Sequence, residues 1–185
     1  SFISYQTAYL KANYPLEFMT ALLTSERDNT DKIVQYIDEA ERLGIQVLPP
    51  SVNESFSEFS AVRDSIRFGL SAIKNVGGTA IQSILQSRQI LGEFTSIFHF
   101  VENIDSRLVN RKVLESLIKS GACDCFGMRR SQLMAMIESL LVLGNETQKD
   151  RAIGQFSLFE EGSDDEKYGY LMHDIPNIEE WPESQ

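Results

Sequence analysis

Cysteine is scarce in this 185-residue chain: Cys123 and Cys125 are the only two, in a C-x-C arrangement. That count excludes a disulfide framework, and thiols one residue apart rarely bridge each other. Both are expected reduced, as in a cytoplasmic protein. His99 and His173 lie too far along the chain from the cysteines to suggest a zinc set. With 5 Pro and 11 Gly, the composition is neither collagen-like nor of low complexity. No apolar run approaches the roughly 18–20 residues needed to cross a bilayer, so no membrane role is expected. The opening Ser1-Phe2-Ile3-Ser4-Tyr5 lacks a Met, a basic n-region and a long apolar stretch; it is no signal peptide and reads as a chain cut from something longer. G-x-S-x-G, H-E-x-x-H and Walker signatures are all missing. The adjacent carboxylates Asp164 and Asp165 fall in an acidic stretch where nothing rigid would hold a metal ion, so neither a metal site nor a cofactor is expected in this chain.

What is present is the composition of a folded protein, 42% hydrophobic and 24% charged. The net charge of −10 argues at first against a polyanionic partner, but it is unevenly spread. Residues 1–62 carry 4 basic and 9 acidic side chains, residues 63–130 carry 10 and 6, residues 131–159 carry 2 and 3, and residues 160–185 carry 1 and 9. A basic middle of net +4 therefore lies between acidic flanks, and it alone would welcome a polyanion.

Helical periodicity dominates. A first helix leads to Tyr14-Pro15, where proline forces a boundary. A second carries Phe18, Met19, Leu22 and Leu23. A third, capped by Asn29 or Thr30, has the stripe Ile33, Val34, Ile37, Ala40, Leu43 and stops at Gly44. Runs 59–62 and 65–70 flank Arg63-Asp64 and predict a small β-hairpin. Helices return with a short one ending at Asn75, then one from about Gly78 to Leu91, one capped by Thr95 or Ser96, and one opened by Asn110 and ended by Gly121. The last long one runs from Arg130 to Leu143, with Gly144 as its stop. Periodicity fades after Asn145.

Three local patterns carry chemistry. In Leu70-Ser71-Ala72-Ile73-Lys74-Asn75-Val76-Gly77-Gly78-Thr79-Ala80-Ile81 a short helix meets a tight turn, and a second helix starts at once, the layout of a helix-hairpin-helix. Backbone N–H groups at that second start have no intrahelical partner, and Gly77 and Gly78 lack the Cβ that would fend off a phosphate oxygen. Val76 is expected to pin the turn to the core, while Lys74 and Thr79 add donors. Asn75 replaces the first glycine of the usual Gly-apolar-Gly triplet and tolerates the left-handed region. The other reading is a tight inter-helical turn with no ligand. A looser copy follows at Lys119-Ser120-Gly121, with Arg129 and Arg130 at the next helix start. The third pattern, Gln155-Phe156-Ser157-Leu158-Phe159, reads either as an extended peptide that sets Leu158 and Phe159 into an apolar cleft of a partner or as a segment folded back on its own domain.

Together these residues resemble the alpha-subunit family of bacterial DNA polymerase III, the C-family replicative polymerases. The resemblance runs in order through Ser4-Tyr5-Gln6-Thr7-Ala8-Tyr9-Leu10-Lys11, Tyr14-Pro15, Phe18-Met19, Leu48-Pro49-Pro50-Ser51-Val52-Asn53, Ile66-Arg67-Phe68-Gly69-Leu70, Ala72-Ile73-Lys74-Asn75-Val76-Gly77, Val113 to Ala122 and the pentapeptide. It implies a mainly α fold with tandem helix-hairpin-helix motifs, a small β-hairpin and an acidic, flexible C-terminal tail. In domain terms it implies a helical end of the fingers over 1–62, the hairpin with the DNA-binding region over 63–145, a linker with the sliding-clamp-binding peptide over 146–162, and the tail over 163–185.

The resemblance further implies a parent that adds deoxynucleotides on a template with Mg2+ held by palm aspartates outside this chain. No catalytic residue is then expected here, and the fragment by itself should be inactive. Its implied work is to grip duplex primer-template through Lys74, Asn75, Val76, Gly77, Gly78, Thr79, Lys119, Ser120, Gly121, Arg129 and Arg130. It would also tether the polymerase to the sliding clamp (beta subunit) through Gln155, Phe156, Ser157, Leu158 and Phe159, among other holoenzyme subunits. A non-catalytic helix-hairpin-helix repair or interaction module is the alternative.

Overall fold

Proline draws the first boundary, as expected: α1 (Phe2–Asn13) ends before Pro15, which takes the first turn of α2 (Pro15–Ser25), where its missing N–H costs nothing. A computed structural model describes residues 2–154 and 164–182 of the chain. The chain divides into two compact units, Ser1–Lys74 and Asn75–Gln185.

In the first unit, α3 (Thr30–Arg42) is capped by Asn29, whose side-chain oxygen accepts from the Lys32 N–H at 3.2 Å, and the left-handed Gly44 follows it. Its stripe is only partly used. Ile33 and Ala40 are buried, whereas Val34 and Leu43 face solvent. They pack with Met19, Leu23, Ile45, Phe59 and Ile66 into one core.

The predicted hairpin is present as β2 (Ser60–Val62) and β3 (Ser65–Arg67), with Arg63 left-handed at its turn. It is not alone. β1 (Gln46–Leu48), unassigned in the sequence reading, pairs parallel with β3 in the order β1-β3-β2. The expected boundary at 62–63 therefore falls inside the hairpin, and the hairpin belongs to the first unit.

A second correction concerns the helix expected to end at Asn75. It is a single 3-10 turn, Leu70–Ala72, held by the Ile73 N–H to the Leu70 carbonyl at 3.2 Å.

The second unit is helical. It holds α4 (Gly78–Leu91), α5 (Ile97–Asn103) capped by Ser96, α6 (Arg111–Lys119) capped by Asn110, α7 (Arg130–Ala135), α8 (Ile137–Ile153) and α9 (Asp164–His173). Five of the seven residues of α5 are buried: Ile97, Phe98, Phe100, Val101 and Glu102. The Phe100 ring meets Phe94 edge-on at 5.0 Å. Neither cysteine is in a disulfide. Cys123 is buried, and burial pushes its thiol well above the usual range, while Cys125 is exposed.

Two further expectations fail in this unit. Gly144 does not stop the last helix; it is buried inside α8, which runs on to Ile153 and ends at the left-handed Gly154. A Cβ at Gly144 would lie 2.8 Å from the Val101 carbonyl oxygen, so glycine is needed for α8 to cross α5. Residues 146–153 are thus helix and not linker. They read as aperiodic because their polar side chains serve α5. Gln148 Oε1 accepts from the Ser106 N–H at 3.1 Å, its amide donates to the Ile104 carbonyl, and Arg151 donates to the Glu102 carbonyl at 3.1 Å.

The acidic tail is anchored at one residue. Tyr168 of α9 is 1% exposed, stacks on Phe98 at 5.1 Å between ring centroids, and donates its hydroxyl to the Glu102 carboxylate.

Gly144→Ala should destabilise the second unit by about 1–3 kcal/mol, since a backbone carbonyl has to move to admit the methyl. Urea unfolding followed by circular dichroism checks this, and an unchanged midpoint would show that the crossing is slack.

Candidate nucleic-acid interface

A helix start with bare N–H groups is the chemical unit of interest, and α4 supplies one. Asn75, at φ 69, turns the chain in the left-handed region that asparagine tolerates. Val76 is 6% exposed and anchors the turn, as expected. Gly77 precedes α4 in extended conformation, its carbonyl accepting from the Ile81 N–H at 3.1 Å, and no side chain caps the helix. Gly77, Gly78 and Thr79 are all exposed.

The two glycines are not demanded by the fold. Neither has a positive φ, and a Cβ built on either would meet nothing within 4 Å. What glycine leaves at this point is open access to the first N–H groups of a 14-residue helix. Lys74, the last residue of the first unit, is exposed.

The second hairpin has a different character. Gly121 is buried, with φ 85, and closes α6 through the Ala122 N–H to the Leu117 carbonyl at 2.9 Å. The Arg130 guanidinium lies against it, so a Cβ at Gly121 would sit 2.5 Å from Nη2. That guanidinium donates to Asp124 at 2.7 and 3.0 Å and to the Lys119 carbonyl at 3.3 Å. The Asp124 bond holds Arg130 above the usual guanidinium range.

Arg130 therefore staples its own turn. Ser120 is also turned inward, donating to the Leu117 carbonyl at 3.0 Å. Arg111 is paired with Glu115 at 2.8 Å and with Glu138. Lys112, Lys119 and Arg129 remain exposed.

Within the second unit the first turn touches α6: the Asn75 side-chain amide donates to Ser116 Oγ at 3.4 Å. Residues that escaped the sequence reading are Ser116, Asp124 and Glu180, each of which acts through a partner 6 to 50 residues away. No local pattern marks such pairs. Gln155, Phe156, Ser157, Leu158 and Phe159 lie outside the described residues. Among the described residues, no group of three or more His, Cys, Asp or Glu side chains is placed to hold a metal ion, and no helix is long and apolar enough to cross a membrane.

Comparison with known proteins agrees with this geometry. A family described as a helix-hairpin-helix motif matches residues 44–133. DNA polymerase III subunit alpha of Saccharopolyspora erythraea is 42% identical over 99% of this chain and 16% of its own length. The subunit of the same name from Thermus aquaticus is 48% identical over 87% of this chain and 13% of its own. That of Campylobacter jejuni is 45% identical over 97% and 15%. The chain spans about one-seventh of the length of the curated relatives it matches.

If the fold does not need glycine at the start of α4, Gly78→Ala should leave the second unit as stable as before, or more stable by up to about 1 kcal/mol. Thermal unfolding by circular dichroism tests this, and a marked loss of stability would return the glycine to a purely structural role.

Proposed function

The chain belongs to the DNA polymerase III alpha-subunit family, as a segment of it, and from that premise we propose that its second unit grips duplex primer-template through the phosphate backbone. The observation that carries this reading is the uncapped start of α4, with two exposed glycines that the fold does not require. Amides of Gly77, Gly78 and Thr79 present donors to a phosphate, and the exposed Lys112 and Lys119 of the same unit supply positive charge. Asn75 sets the turn and Val76 anchors it. In the second hairpin Lys119 and Arg129 face solvent, whereas Ser120, Gly121 and Arg130 shape the turn.

Backbone contacts carry no base information, so the grip is sequence-independent and weakens with salt. The whole polypeptide performs template-directed DNA synthesis with Mg2+ in the cytoplasm. The carboxylates that would hold Mg2+ are expected outside this chain, and no step of nucleotidyl transfer is assigned to its residues. The pentapeptide 155–159 tethers this polymerase to the sliding clamp: Leu158 and Phe159 enter an apolar cleft and the Gln155 amide bonds at its rim.

Duplex titrated at low salt should shift the amides of residues 75–80 first, with affinity weakening to about 10⁻⁴–10⁻⁶ M at physiological salt. Nuclear magnetic resonance mapping reads both, and shifts gathered on residues 31–43 instead would remove the assignment.

For the tether, replacing Leu158 and Phe159 together by Ala should abolish most of a micromolar affinity for the clamp. The two anchors each bury an area worth about 1.5–3 kcal/mol. Calorimetry compares the two proteins, with circular dichroism as the folding control. Equal affinities would refute the tether.

A further inference from the structure

We propose that the acidic segment 176–181 is a built-in mimic of the DNA backbone. It docks on the second hairpin and is displaced when duplex engages that surface. This rests on the DNA-gripping role proposed above.

The occupant is visible in atomic detail. One Glu180 oxygen accepts from the Arg130 N–H at 2.8 Å, and the other accepts from the Ser131 N–H at 3.2 Å. The Ile178 carbonyl accepts from the Arg129 guanidinium at 2.7 Å, and the Pro176 carbonyl accepts from the Gln132 amide at 3.1 Å. Four successive residues, 129–132, therefore donate to three acceptor residues drawn from 44 to 50 positions further along the chain. An anion with its oxygens spread over successive backbone N–H groups, beside an arginine, is how a phosphate is held.

The Trp181, Arg130 and Ser131 N–H groups keep the Glu180 carboxyl below the usual range, so the mimic stays charged at neutral pH. Its segment, residues 160–185, carries 9 acidic side chains against 1 basic. The surface it engages includes Arg129 at the second hairpin start, which stays largely exposed with the segment in place.

The way the segment is fixed makes it exchangeable. Its shoulder is firm, because Tyr168 is buried on Phe98. Beyond it, no described residue from 171 to 182 is fully buried: 176–181 is held by four polar contacts, with Pro176 and Trp181 only half-buried. Polar surface contacts of this kind exchange for equivalent contacts to phosphate at little net cost, whereas an apolar anchor would not. Shoulder and hand thus differ in the physics that holds them.

Trp181 is the only tryptophan in the chain, is half-buried, and adjoins Glu180. Its emission therefore reports the segment without a label. Unlabelled duplex of mixed sequence, titrated into the full 185-residue chain at low salt, should shift Trp181 emission to the red and raise its quenching by acrylamide. Glu180→Gln should raise duplex affinity about fivefold, because one anionic competitor is weakened. Adding Arg129→Ala should cancel that gain.

Duplex binding with unchanged Trp181 emission would overturn the mimic and make the segment a permanent strut. A gain from Glu180→Gln that survives Arg129→Ala would also overturn it, as a general charge effect. If Glu180→Gln unfolds, the emission titration of the unmodified chain still decides. Absence of duplex binding by every one of these proteins would instead overturn the proposed grip, and the mimic with it.

Discussion

A helix with five of its seven residues buried constrains everything around it, and α5 is such a helix. Its backbone ends need partners, its aromatic residues need cover, and its one buried charge needs donors. α8 crosses it closely enough that only glycine fits at position 144, and then continues for more than two turns. Those extra turns bring Thr147, Gln148 and Arg151 to the carbonyl end of α5 and to the Glu102 carboxylate. Tyr168 closes the remaining side with a stacked ring and a hydroxyl on the same carboxylate. The buried carboxylate is tolerated because its oxygens are hydrogen-bonded, and it draws both α8 and α9 onto α5.

The cations of the basic segment divide their labour within this frame. Arg130 is half-buried against Asp124 and the Lys119 carbonyl, while Arg107 and Arg111 pair with carboxylates at the exposed surface. The count of basic side chains in this segment therefore overstates what is offered to a polyanion. What the start of α4 offers is backbone, its bare N–H groups, and the unit's Lys112 and Lys119 are exposed as well. Backbone donors at a helix start need no side-chain ordering before they meet an anion, which suits a weak, sequence-blind contact.

Much of the architecture could be read from the chain alone, where a feature depends on neighbours in sequence. Asn29, Ser96 and Asn110 cap because a side-chain oxygen reaches an N–H three residues on, and Pro15 starts a helix because of its own ring. The hairpin at Arg63 was legible from its flanking alternation, and the first turn from Asn75, Val76 and Gly77. β1 was missed because a three-residue parallel pairing depends on a strand nearly twenty residues away. Gly144 was misread because a glycine near a fading apolar stripe looks the same whether it ends a helix or lets another backbone approach.

The sequence by itself determined the helical class, the caps, the two hairpin turns and the kinship with polymerase alpha subunits, since each rests on local stereochemistry or on ordered residue identity. Only the tertiary structure decided which arginines are spent internally, where α8 ends, and that the acidic tail folds back to place Glu180 on the second hairpin. Those outcomes turn on hydrogen bonds between residues as far as 50 positions apart. A charge or a glycine carries no mark of a distant partner until packing has brought the two together.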